Sequence, residues 1–300
     1  MSFRATNPAR APSGDLSSYQ RERFESAGFS HAIYRKGNGP AVIVLTELPG
    51  ITPRVLGFAD RLVAAGCTAV LPDLFGVAGR EPFASRRMGD MGAMRRLETL
   101  GGLVQDVRTV LSVCVSREFT VFALGQSSPV VAWLRDLAAR EHTRCGGPGV
   151  GAIGMCFTGG FALAMATHPS VVAPVLAQPS LPIGLRARHR AAIDCSPEEL
   201  QRVAARCASE GLRTLGVRFQ GDRMSPGARF RFLKQRLGDA FIDIDLPQSS
   251  RHPAAGLPRA HSVLTEDLID EPGEPTHAAL ERVLAFFRQR LLGEAASVEA

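Results

Sequence analysis

The chain has 300 residues and a formal net charge of +6; 45% of its residues are hydrophobic and 21% are charged. These values are ordinary for a soluble globular protein with a sizeable core. No apolar run is long enough to cross a bilayer, so no association with a membrane is predicted.

The basic balance comes almost entirely from arginine, because Lys36 and Lys234 are the only lysines. Two tyrosines and one tryptophan provide no basic stripe interleaved with aromatic residues, so no nucleic-acid partner is predicted. The six cysteines form no C-x-x-C pair and have no zinc-site spacing. This pattern predicts no metal and no cofactor, and it indicates a protein of the reducing cytoplasm.

The first 18 residues are rich in arginine, proline and serine and lack the apolar core of a secretory signal, so we predict a disordered tail over 1–18. Short apolar runs then alternate with helical patterns, which predicts a mostly parallel sheet with helices on both faces in one domain over 19–295. Predicted strands are Ala41–Thr46, Thr68–Leu71, Thr120–Leu124, Val150–Met155, Val171–Leu176, Thr214–Phe219 and Phe241–Leu246. Predicted helices are Pro53–Ala65, Met94–Val113, Val130–Glu141, Gly160–Thr167, Pro197–Ser209, Ala228–Leu237 and His277–Leu292.

The first central strand runs directly into Glu47, Leu48, Pro49 and Gly50. Ligand sites of open α/β sheets form at the carboxyl ends of the strands, where a carboxylate is costly unless it is used. Glu47 is therefore a candidate site residue. The backbone N–H of Leu48 is a candidate oxyanion-hole donor, whereas Pro49 has no N–H to offer.

The next region, 76–125, is long and less regular, and it is a candidate cap or insertion over the site. It is followed by Gly125-Gln-Ser127-Ser-Pro129, which resembles a serine nucleophile turn but lacks its final glycine. Ser128 and Pro129 fit better as an N-cap with proline at the first helical position.

The run from Gly149 to Gly160 contains the most informative motif, G-x-C-x-G-G centred on Cys156. An apolar strand ends in the cysteine and turns sharply into a helix, which is the cysteine form of the nucleophile elbow. Gly154 and Gly159 stand at the offsets where this cramped turn excludes a Cβ. The helix N-terminus favours the thiolate, and the backbone N–H of Phe157 points to where an oxyanion would form.

The same run includes a literal G-x-G-x-x-G, the dinucleotide-binding fingerprint. Its glycines fall inside the predicted strand, and no acidic residue occurs between Cys156 and Asp194. A nucleotide-binding function is therefore not favoured.

A nucleophilic cysteine needs a base and a group that orients the base, and in an α/β-hydrolase sheet the acid and then the histidine follow the nucleophile. Asp222 lies just after a predicted strand, and Gly221 permits the turn. The weaker acid candidates are Asp194, Asp239, Asp243 and Asp245. His252 and His261 both lie between the last strand and the last helix, and spacing alone does not choose between them.

Together these residues resemble the dienelactone hydrolase family, a cysteine-nucleophile branch of the α/β-hydrolase fold. The resemblance runs from about 41 to 292. It rests on the elbow and on four further motifs: Glu47-x-x-Gly50, Leu71-Pro-Asp-Leu-Phe-Gly76, Gly221-Asp222 and His261-Ser262. It implies an α/β-hydrolase fold, His261 as the catalytic histidine, and a Glu47 that helps to activate the thiol.

One position departs from the family pattern. Members that cleave dienelactone carry an arginine four residues after the histidine to hold the substrate carboxylate, and here that position is Thr265. Candidate replacements are Arg54, Arg86, Arg87 and Arg223. An ester or lactone is accordingly a better-supported substrate class than an anionic lactone.

The resulting hypothesis is a hydrolase of small-molecule esters or lactones with the triad Cys156, His261 and Asp222, assisted by Glu47 and the N–H groups of Phe157 and Leu48. The alternative is a non-catalytic protein of the same fold that binds a small acyl ligand or a partner. The sequence leaves the oligomeric state open.

Overall fold

The computed structural model describes residues 9, 13–81, 109, 119, 126–181, 190–255 and 259–294. Its centre is an eight-stranded sheet with the order β1-β2-β4-β3-β5-β6-β7-β8. The pairs β1–β2 and β2–β4 are antiparallel, and all other neighbouring pairs are parallel. The strands are Gln20–Ser26 (β1), Phe29–Lys36 (β2), Ala41–Leu45 (β3), Thr68–Pro72 (β4), Val150–Met155 (β5), Val171–Ala177 (β6), Thr214–Phe219 (β7) and Phe241–Leu246 (β8).

Helices cover both faces of the sheet, as predicted. Every residue of β3 and of β5 is buried, which is the expected state of central parallel strands. One apolar cluster joins the sheet to α1 and α6, and a second joins its other face to α2, α3, α4 and α5. The helices are Pro53–Ala64 (α1), Val130–Cys145 (α2), Gly159–Met165 (α3), Pro197–Glu210 (α4), Gly227–Leu237 (α5) and Pro275–Phe287 (α6), which continues as a π-helical turn over Arg288–Leu292.

Three of the predicted strands, β5, β7 and β8, have the predicted bounds, and the other predicted elements within the described residues differ by a few residues at their ends. The capping box at the start of α4 is confirmed, with Ser196 accepting from the N–H of Glu199. The predicted elements Thr120–Leu124 and Met94–Val113, and nearly all of 76–125 beyond residue 81, lie outside the described residues.

Two sequence-based expectations need correction, and one part of the sheet was missed. The β1–β2 hairpin was not predicted, because β1 has an exposed, mostly polar sequence with little hydrophobic signal. Leu16–Ser18, at the end of the expected tail, form a 3-10 turn, and the Gly14 N–H donates to Pro53 O. Ser128 does not cap α2: its hydroxyl donates to Asp194 instead.

The parallel strands β3, β5, β6, β7 and β8 all point their carboxyl ends to the same edge of the sheet. The segments that follow these five strands therefore meet there, although they are distant in the sequence. They carry the candidate residues from Glu47 to His261.

Candidate active site

Cys156 follows β5 directly and has a left-handed backbone, with φ of 56°. This conformation is unfavourable for a residue with a Cβ, and it occurs where the surrounding structure enforces it. A Cβ on Gly154 would lie 2.1 Å from Thr158 O, and one on Gly159 would lie 2.6 Å from the Cα of Pro179. Both glycines are thus required by the packing of the turn, as the motif predicted.

Two further contacts hold this turn. The Thr158 hydroxyl accepts from the Met155 N–H at 3.0 Å and reaches the carbonyl of Leu45 on β3 at 2.9 Å. The Ser180 N–H donates to the Cys156 carbonyl at 2.8 Å. The nucleophile candidate is therefore tied to the ends of both neighbouring strands, while its residue remains partly accessible.

The structure brings Asp222 and His261 together, 39 residues apart in the chain. His261 Nδ1 lies 2.6 Å from Asp222 Oδ2, with the residues 2% and 4% exposed. The other carboxylate oxygen of Asp222 accepts the Met224 N–H at 2.9 Å. This arrangement fixes the orientation of the ring and places the proton on Nδ1 in the neutral tautomer.

The opposite nitrogen of the ring, Nε2, is buried and makes no hydrogen bond of standard geometry with the described residues. Burial by itself lowers the pKa of His261. The negative charge of a Cys156 thiolate and the bond to Asp222 outweigh burial and raise the pKa well above 6.5. Cys156, His261 and Asp222 are thus of the residue types that a nucleophile, a base and an orienting acid require.

The structure places the competing histidine elsewhere. His252 is also buried, but its ring Nδ1 accepts the backbone N–H of Ala254 at 3.1 Å. The backbone N–H of His252 donates to the Asp267 carbonyl. These contacts shape the loop after β8, and the described contacts of Asp222 lead to His261 and not to His252.

The weaker acid candidates have other partners. Asp245 pairs with Arg218 at 2.7 Å, whereas Asp239 and Asp243 lie 3.8 and 3.9 Å from Lys234. Asp194 accepts from the Ser128 hydroxyl at 2.9 Å, and burial raises its pKa to about 7. The described contacts connect none of them to His261.

Glu47 is buried at the end of β3, where three side chains donate to its carboxylate. Oε2 accepts from Ser262 at 2.7 Å and from Gln178 at 3.3 Å, and Oε1 accepts from the Thr265 hydroxyl. Thr265 thus occupies the position that the family pattern gives to arginine, and it binds Glu47. Of the candidate arginines, Arg54 is the second residue of α1 and Arg223 is exposed, while Arg86 and Arg87 lie outside the described residues.

The oxyanion-hole candidates lie beside the elbow. Phe157 is in the first turn of the 3-10 segment Cys156–Thr158, where N–H groups have no partner within the helix. Leu48 follows Glu47 and packs against the apolar cluster around the elbow. Their roles as oxyanion donors remain a proposal.

Asp267 is a site residue that the sequence reasoning missed. Its Oδ2 accepts the N–H groups of His261 at 2.8 Å and Ser262 at 3.0 Å, and Arg251 Nε lies 3.0 Å from Oδ1. The side chain is completely buried. It holds the backbone of the histidine loop, a role with no local sequence signature.

In the ranges that the structure describes, no cluster of His, Cys, Asp and Glu has the geometry of a metal site. No helix within those ranges is both long and apolar enough to cross a membrane.

Comparison with known protein families gives one match. The model of the dienelactone hydrolase family matches residues 30–192, which is more than half of the chain. No curated protein sequence matches the chain.

Solved structures show the same fold at low identity. A protein from Klebsiella pneumoniae assigned as a dienelactone hydrolase is 18% identical with a TM-score of 0.52, over 90% of this chain and 98% of its own. A cold-adapted esterase from an Arctic intertidal metagenomic library has 15% identity and a TM-score of 0.50, over 97% of this chain and 100% of its own. A dienelactone hydrolase-like promiscuous phosphotriesterase from metagenomic libraries has 16% identity and a TM-score of 0.50, over 91% and 98%. These similarities establish the α/β-hydrolase fold.

Removing the Asp267 carboxylate is expected to loosen the histidine loop. Asp267→Ala leaves two buried N–H groups without an acceptor, at about 1–3 kcal/mol each, so the free energy of unfolding should fall by at least about 2 kcal/mol. Asp267→Asn keeps an acceptor oxygen and should recover most of this loss. Urea unfolding of both variants measures the effect, and equal stability of the alanine variant and the parent would contradict the assignment.

The pKa of His261 should depend on Cys156. Cys156→Ser replaces an ionisable thiol with a neutral hydroxyl. Burial lowers the pKa of His261, and without the thiolate charge less opposes this effect, so the pKa of His261 should fall. NMR titration of the imidazole resonances measures this change, with His277, which pairs with Asp270, as an internal reference. An unchanged pKa would show that the thiol does not act on the ring.

Proposed function

The chain belongs to the dienelactone hydrolase family, and from this we propose that it hydrolyses a carboxylic ester or lactone with a Cys156, His261 and Asp222 triad and a thioester acyl-enzyme. The observation that carries the proposal is the buried 2.6 Å contact between His261 and Asp222 at the carboxyl edge of the sheet, with the elbow cysteine acting on the same ring.

In the first half-reaction the Cys156 thiolate attacks the acyl carbon and forms a C–S bond. The carbonyl oxygen becomes an oxyanion that accepts hydrogen bonds from the N–H groups of Phe157 and Leu48. When the tetrahedral intermediate collapses, the C–O bond to the leaving group breaks and the leaving oxygen takes the proton from the imidazolium of His261. In a lactone the leaving hydroxyl stays attached to the acyl chain.

In the second half-reaction neutral His261 takes a proton through Nε2 from a water molecule, whose oxygen attacks the thioester. The C–S bond breaks, the carboxylic acid is released, and the thiolate and imidazolium are restored. Asp222 keeps the ring in the tautomer and orientation that both steps need. Because Thr265 binds Glu47 where an arginine would hold a carboxylate, the proposed substrates are neutral esters and lactones.

The central test is removal of the nucleophile. Cys156→Ala should abolish hydrolysis across a panel of aryl esters, aliphatic lactones and dienelactone, while the melting temperature stays close to that of the parent. Mass spectrometry of the parent protein quenched during turnover should show an acyl group on the peptide that contains Cys156. Residual turnover well above background in the alanine variant, or an acyl group on another residue, would reject the mechanism.

The two buried loop histidines provide a matched control. His261→Asn should lower kcat by about 10³-fold or more, as expected for a triad member. His252→Asn should stay near the parent rate, since an amide oxygen can replace Nδ1 as the acceptor for Ala254. The reverse pattern would assign the base to His252. A parent protein with neither turnover nor an acyl adduct would favour the non-catalytic binding protein.

Glu47 is proposed to assist activation of the thiol. Glu47→Gln keeps the shape but not the charge, so the rate of the single-turnover acylation phase with an activated aryl ester should fall while deacylation changes little. Thr265→Val is the control, because it removes one donor to Glu47 and leaves the carboxylate in place. If the glutamine variant melts at a lower temperature but acylates normally, Glu47 is structural and leaves the catalytic set.

A further inference from the structure

Arg229 is a buried cation that the proposed mechanism does not use. It lies near the start of α5, and only 1% of the residue is exposed. Charged side chains are rarely buried to this extent unless charges or hydrogen bonds compensate for the lost water. The surroundings of its guanidinium therefore indicate what the arginine is for.

The guanidinium joins three separate segments by donating to their backbone carbonyls. Nε donates to Ala192 O at 2.5 Å, and Nη1 donates to Met224 O at 3.1 Å and to Pro179 O. These carbonyls belong to the segment before α4, the loop after β7 and the loop after β6. One side chain thus holds together three of the segments that surround the elbow.

Two of these segments contact the proposed triad directly. Pro179 precedes Ser180, whose N–H donates to the Cys156 carbonyl at 2.8 Å. Met224 donates its own N–H to Asp222 Oδ1 at 2.9 Å. A displacement of Arg229 would therefore be transmitted to both Cys156 and Asp222 through one hydrogen bond each.

The charge of Arg229 acts on the same two residues. Burial lowers the pKa of Arg229 to about 10, and the negative charges of Asp222 and Cys156 oppose this decrease. Arg229 is consequently a cation at neutral pH. Because the Coulomb interaction is mutual, the positive charge of Arg229 also attracts the negative charges of Asp222 and Cys156, which His261 faces from the loop after β8.

We infer that Arg229 is a positioning residue of this site: it clamps the loops that hold Cys156 and Asp222, and its charge stabilises the Cys156 thiolate. The inference deepens the proposed function, on which its catalytic meaning rests. A purely structural clamp would affect stability alone. A charge that stabilises the thiolate would also change how the reactivity of Cys156 depends on pH.

The test measures the rate at which iodoacetamide alkylates Cys156 in the full chain between pH 5 and 9, with each cysteine followed by peptide mass spectrometry. Arg229→Gln keeps donors for the carbonyls but removes the charge, so alkylation at pH 6 should be about tenfold slower and its midpoint should move to higher pH. Arg229→Lys keeps the charge but not the planar guanidinium that donates to the three carbonyls. It should therefore keep the alkylation midpoint of the parent and show a lower kcat on an activated ester.

Arg206 is a matched control because it clamps carbonyls in the same way at the opposite end of β6. Its Nη1 donates to Ala166, His168 and Val171 at 2.6 to 3.0 Å. Arg206→Gln should lower the melting temperature without moving the alkylation midpoint. The inference is overturned if Arg229→Gln alkylates like the parent. If that variant does not fold, the lysine variant decides, since a shifted midpoint with the charge retained would also overturn it.

Alkylation does not require ester turnover, so the inference and the proposed function can fail separately. If Arg229→Gln leaves the pH midpoint of alkylation unchanged and Cys156→Ala has lost hydrolysis, the inference is rejected and the proposed hydrolase activity is retained. A midpoint that moves in a protein without hydrolysis or acyl adduct supports the charge effect and rejects the hydrolase.

Discussion

Cys156 follows strand β5 in a left-handed backbone conformation, and the site depends on the surrounding structure to maintain that conformation. The enforcement is steric, because the space behind the turn is filled by Thr158 O and by Pro179, so that positions 154 and 159 cannot carry a Cβ. It is also polar, because Thr158 and Ser180 bind the turn to the ends of β3 and β6. For the proposed nucleophile this means that substrate binding does not have to order the residue, which would lower the entropic part of the barrier.

The same edge of the sheet holds several buried polar groups, including Glu47, Asp222, His261 and Asp267. Each would be costly alone. Glu47, Asp222 and His261 are compensated by hydrogen bonds from other segments, and Asp267 by N–H groups of its own loop. Asp267 accepts backbone N–H groups of the histidine loop, and Ser262 of that loop in turn donates to Glu47 at the end of β3. Because the partners are distributed over several loops, the loss of one carboxylate disturbs the position of residues it does not touch.

The sequence was informative where the chemistry is local. The glycines two residues before and three residues after the cysteine can be recognised without a structure. An aspartate just after a predicted strand can be recognised in the same way. The choice between His252 and His261 could not be made from spacing, because both lie in one loop and both are buried. Gln178 and Arg229 carried no signal, since their importance comes from a carboxylate and carbonyls that lie far away in the sequence. Asp267 carried none because only the folded loop brings its carboxylate to the N–H groups of His261 and Ser262. The hairpin of β1 was missed for the opposite reason, because its stability comes from pairing with β2 and its own residues are mostly exposed.

Thr265 connects the local and the distant parts of this site. At the position where the family pattern has a cation, a neutral hydroxyl donates to Glu47, and Ser262 and Gln178 supply the remaining donors. Glu47 is thus held by neutral groups, whereas Arg229 is a buried cation whose Nε and Nη1 donate to three backbone carbonyls behind the elbow. This distribution of charge is consistent with the proposed neutral substrates, because Thr265 leaves the position of the family's arginine without a positive charge.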